Sequence, residues 1–118
     1  MKFDLSKIKF PEIPTEQFKK TIFDGDVELE LTLKPLTGFN LAKLVSAKQD
    51  DYGEEISRLC LKEGAGFSDE EINTLINFEI PTVAEIVDRV VDLTRQFAET
   101  VAKEKETSKK NLRMKKQA

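Results

Sequence analysis

Histidine is absent from this 118-residue chain, and cysteine occurs once, as Cys60. Without imidazole there is no Ser-His triad. With a single thiol there is no intrachain disulfide and no multi-cysteine zinc site. These shortages remove the commonest routes to catalysis and metal binding, so the expectation is a non-enzymatic protein with no cofactor. Cys60 sits between Leu59 and Leu61 in a helical stretch, a setting in which a free thiol serves more often as a small buried hydrophobe than as a reactive group. Long apolar runs are missing too. None approaches the roughly 20 residues of a membrane-spanning helix. The start, Met1-Lys2-Phe3-Asp4-Leu5-Ser6, lacks the charged-then-apolar plan of a signal peptide. Both absences predict a cytoplasmic protein with no membrane partner.

Partial motifs fail on inspection. Gly64-Ala65-Gly66-Phe67-Ser68 has no lysine placed to reach a phosphate and follows a helical stretch where a phosphate loop would follow a strand. Asp24, Asp26 and Glu28 are spaced as in a calcium loop, but they fall in a hairpin without the later glutamate ligand. The adjacent pairs Glu70-Glu71 and Asp50-Asp51 diverge where an acid and a base would have to converge, and they read as helix-dipole partners and a solvated loop.

What the chain does contain is 39% hydrophobic and 35% charged residues at a mean hydropathy of −0.42, enough for one soluble domain with a modest core. Its charge is unevenly placed. Residues 103–118 hold seven Lys or Arg against two Glu, a net of +5, so the −3 of the whole chain leaves −8 on the first 102 residues. An acidic body with a short cationic end suggests an interaction module; nucleic-acid binding would rest on the end alone, because no basic face is interleaved with aromatic residues. The predicted organisation is a single domain over 1–102 followed by a charged, flexible tail over 103–118.

Within the domain, Pro11 and Pro14 forbid a continuous helix and predict an extended arm over 1–17, with Phe3, Leu5, Ile8 and Phe10 available for docking on its own body or on a neighbouring copy. A β-hairpin is predicted over 18–36. Asp24-Gly25 suits a type I′ turn, and opposed positions then sum to 49. Ile22 faces Val27 and Phe18 faces Leu31 on an apolar side, while Thr21 faces Glu28 and Lys19 faces Glu30 on a polar one. Lys20 opposite Leu29 is the one flaw. The region 40–102 is predicted helical, with helices from about Asn40 to Lys48, from Glu54 to Glu63 ending on Gly64 as cap, from Ser68 to Asn77, and from Thr82 onward. A break falls at Asp50-Asp51-Tyr52-Gly53. The last two helices open on capping boxes, Ser68/Glu71 and Thr82/Glu85. The fold class is therefore α+β: an extended arm and hairpin, then a helical bundle with a long C-terminal helix.

That last helix carries Val83, Ile86, Val87, Val90, Val91, Leu93, Thr94, Phe97, Ala98 and Val101 within an arc of roughly 160°, wider than the ~100° stripe of an ordinary surface helix. Two readings follow. The helix lies in a groove of its own domain, or it packs on one flank and binds a partner on the other. The second makes Ile86, Val90, Leu93 and Phe97 the partner-facing residues.

Asp4-Leu5-Ser6-Lys7, the Pro11–Pro14 segment, the hairpin and Leu31-Thr32-Leu33-Lys34-Pro35-Leu36-Thr37-Gly38 leading into helices resemble tail assembly chaperones of long-tailed (siphovirus-type) bacteriophages or prophages of Gram-positive hosts. The resemblance implies a protein of the bacterial host cytoplasm that binds and solubilises the tape measure protein, helps recruit tail tube subunits, and is missing from the mature virion. It leaves self-association open. It also implies a longer frameshifted product: Lys109-Lys110-Asn111 would then be encoded by a slippery adenine-rich run, where the alternative is a merely solubilising tail. The rival functions are a head-tail joining component that stays in the virion and a small nucleic-acid-binding regulator using the basic end.

Overall fold

The computed structural model describes Ser6, residues 10–47 and residues 53–117, with side chains described as far as Lys103. Phe3, Leu5 and Ile8 of the arm and the break at Asp50-Asp51-Tyr52 lie outside these residues. The elements are β1 (Glu16–Ile22), β2 (Val27–Leu33), α1 (Gly38–Ser46), α2 (Glu54–Leu59) continuing into one π-helical turn (Cys60–Gly64), α3 (Asp69–Phe78) and α4 (Ile80–Gln117). This is the α+β arrangement the sequence predicts.

The hairpin has the predicted register, from Glu16 opposite Leu33 to Ile22 opposite Val27. Asp26 N–H donates to the Phe23 carbonyl at 3.0 Å across Asp24 and Gly25, whose φ of 53° and 95° are the positive values a type I′ turn requires. Alternation sorts the faces: Phe18, Ile22 and Leu33 are buried, while Lys19 pairs with Glu30 at 2.9 Å in solvent. The mismatch at Lys20 is resolved across the domain, because its Nζ reaches Glu85 on α4 at 2.9 Å. β1 starts two residues before the expected boundary, at Glu16. Its carboxylate meets Arg89 at 3.1 Å, and the Arg89 guanidinium lies 5.4 Å from the Phe18 ring centroid, within cation-π range.

These contacts run in order along α4. Phe23 N–H donates to Glu79 at 2.9 Å, Lys20 to Glu85, Arg89 to Glu16, and Leu36 N–H to the Thr94 hydroxyl at 2.9 Å. β1 therefore runs antiparallel to α4, with the hairpin tip at the start of that helix. The π-turn, α1, α2 and α3 cover other sides of the same helix. The molecule measures 66 × 30 × 25 Å.

Two local expectations are corrected. Gly64 is not the helix cap. The cap is Gly66, at φ 82°, whose N–H reaches the Lys62 carbonyl, the single bond of an αL cap, while Phe67 N–H reaches the Leu61 carbonyl and both Phe67 and Leu61 are buried. Thr82 and Glu85 do not form a capping box either. α4 begins earlier, at Ile80, with Pro81 tolerated in the first turn, and the buried Thr82 hydroxyl donates to Glu79 at 3.1 Å. The backbone of α4 continues as helix to Gln117. No breaker interrupts it, and Lys, Glu, Arg, Gln and Met are good helix formers.

Candidate protein-binding surfaces

Of the four predicted partner-facing residues, the structure buries three. Ile86 and Val90 are fully enclosed, Leu93 nearly so, and Phe97 is half-buried. The wide arc is consumed by the domain itself: the hairpin and Leu36 are tied to α4 through Lys20–Glu85, Glu16–Arg89 and Leu36–Thr94, and the π-turn, α1, α2 and α3 contact the same helix. Thr94 belongs to the same interior: fully buried, it accepts from Leu36 N–H and donates to the Val90 carbonyl at 2.7 Å. A partner surface on this flank is thereby closed, save at Phe97.

Exposed apolar side chains lie elsewhere. Phe39 is 96% exposed on α1, and Val45, about 120° around the same helix, is 55% exposed. Phe78 is 74% exposed at the end of α3, one residue from the likewise exposed Ile80, and Phe10 and Ile13 stand out on the arm. Leaving a phenylalanine in water forgoes about 1.5–3 kcal/mol of burial, and aromatic residues grouped on a surface are what a binding partner covers. A signal in the sequence existed. At ~100° per residue, Phe39 lies about 140–160° from Leu41 and Leu44, so it is out of phase with the face those two residues define.

A groove of about 270 Å³ separates the hairpin tip from α3. Ile22, Phe23, Val27 and Leu29 form one wall, Phe67 and Leu75 the other, and Glu70, Glu71 and Thr74 its rim. Phe23 adopts φ 54°, a left-handed conformation that is an outlier for a bulky residue and costs about 1–3 kcal/mol. The Glu79 carboxylate holds it there by accepting its N–H. Glu71 is drawn below the usual carboxylate range by hydrogen bonds from the Ser68 backbone N–H and from the Ser68 side chain. Glu85 is lowered as well, first by its hydrogen bond from Lys20.

Cys60 is not poised as a nucleophile. Burial pushes the Cys60 thiol up to about 12, so the thiolate that reacts is not formed near neutral pH. Among the described residues no group of three or more His, Cys, Asp or Glu could hold a metal ion, and no helix is long and apolar enough to cross a membrane. The architecture is that of a small α+β protein. No protein-family model, curated protein or solved structure matches the chain.

Proposed function

We propose that this protein is a tail assembly chaperone of a long-tailed phage or prophage, a non-enzymatic module that binds the tape measure protein and keeps it soluble in the host cytoplasm. The observation that carries the reading is Phe39, an almost fully exposed aromatic on α1, the helix that also exposes Val45, borne on a body with net charge −8 over its first 102 residues. Exposed apolar side chains on a highly charged body cover the aggregating face of a helical partner while the complex stays in solution. The surface assigned to the partner is thus α1, in place of the flank of α4 that carries Ile86, Val90 and Leu93. Recruitment of tail tube subunits belongs to the same reading.

The experiment is co-expression with the tape measure protein. The wild-type chain should bring it into the soluble fraction and co-purify with it. Phe39→Asp combined with Val45→Asp should abolish both effects while far-UV circular dichroism stays unchanged. A folded double variant that still solubilises the tape measure protein would refute the α1 surface. A wild-type chain that never binds it would refute the function.

A further inference from the structure

We infer that the groove between the hairpin tip and α3 takes the basic C-terminal segment of a second copy of this chain, so that copies join head to tail. Both walls of the groove come from stretches without a single Lys or Arg, residues 21–33 and 63–88. Asp24 and Asp26 flank the hairpin wall, and Glu70 and Glu71 rim the other side. The floor is apolar, with Val27 open at its edge and Leu75 beneath. An acid-rimmed apolar groove selects a cationic segment that also carries apolar residues. Residues 103–118 are such a segment: net +5, with Leu112 and Met114 among the lysines and arginine.

Geometry makes the contact intermolecular. The hairpin tip is tied to the start of α4 through the Phe23–Glu79 hydrogen bond of 2.9 Å. Lys103 lies 23 residues beyond Ile80 on the same helix, about 35 Å away at 1.5 Å per residue. While α4 is intact, its basic end cannot turn back to the groove of its own body, but it can enter that of another copy. The two surfaces differ, so the association is heterologous and continues into a ring or a filament instead of stopping at a twofold dimer. None of this depends on the chaperone reading, which stands or falls on tape measure binding.

Sedimentation velocity on the full chain tests it. At about 0.05 M salt the wild-type protein should associate with rising concentration, and at about 0.5 M, where screening shortens the reach of its charges, the association should weaken about tenfold or more. A groove variant, Asp26→Lys with Glu70→Lys, and a tail variant, Lys109→Glu with Lys110→Glu, Lys115→Glu and Lys116→Glu, should each be monomeric alone. An equimolar mixture should associate again, because each reversed surface then meets its complement. If the groove variant misfolds by circular dichroism, Val27→Asp replaces it as a wall substitution that must also yield monomers. A wild type that stays monomeric overturns the proposal, even if the groove captures a basic segment of another protein. So do variants that associate like wild type, and a mixture that stays monomeric.

Discussion

Gly64 has no room for a methyl group. A Cβ there would stand 2.6 and 2.8 Å from the two γ-carbons of Val90 and 3.2 Å from the Lys34 carbonyl oxygen. Val90 is fully buried in α4, where a β-branched side chain has one strongly preferred rotamer, and Lys34 is pinned by its own N–H to the Gly64 carbonyl at 2.9 Å. Neither neighbour yields cheaply. Gly64→Ala should therefore destabilise the protein by about 1–3 kcal/mol, the usual cost of overpacking a core. Urea unfolding measures it, and a double-mutant cycle with Val90→Ala locates the cause: the pair should cost less than the two single substitutions added together. The sequence shows two glycines flanking Ala65 and invites the first to be read as the cap. What distinguishes them is the approach of a helix from elsewhere in the chain, to which local spacing is blind. Cys60 needed no such information, since its leucine neighbours and helical context already pointed to burial.

Among the elements, those specified by neighbours in sequence were legible and those specified across the fold were not. The hairpin register follows from Asp24-Gly25 and alternation alone, and the start of α3 follows from Ser68 and Glu71, whose reciprocal bonds measure 3.0 and 3.2 Å. At α4 the same pattern misleads. Thr82 and Glu85 have the right spacing, but Glu79 engages the hydroxyl and Lys20 the carboxylate, and the helix starts upstream of both. The real cap at α3 has a measurable pH signature. The folded pKa of Glu71 is depressed, so its stabilising effect is present above the unfolded value, about 4.3, and is lost as the pH falls through the folded one. Glu71→Gln keeps a hydrogen-bonding group but removes the charge. Its stability, measured by urea unfolding, should lie below wild type at pH 7, and the gap should close as the solution is acidified below pH 4. A gap constant from pH 7 to pH 3 would show that the charge of Glu71 contributes nothing to this cap.

For the molecule as a whole, the open question in the sequence was which side of the broad apolar arc on α4 remains free. It has no local answer. The arc is wide because two layers, the hairpin and the helices with their π-turn, both rest on it, and only their joint placement shows that Ile86, Val90 and Leu93 are interior while Phe39 is left outside. The distinction has opposite consequences for one chemical change. An aspartate at Leu93 must either desolvate a carboxylate or break the contact between layers, a penalty of several kcal/mol that is a large share of the ~5–15 kcal/mol by which a domain of this size is stable. An aspartate at Phe39 meets only water, and its effect on stability should stay within about 0.5 kcal/mol. Thermal unfolding by circular dichroism separates the two. Leu93→Asp should lose the cooperative transition or shift it far down, and Phe39→Asp should melt with the wild type. A Leu93→Asp protein that unfolds cooperatively near the wild-type temperature would mean that the hairpin does not seal this flank, and the proposed binding surface would return from α1 to α4.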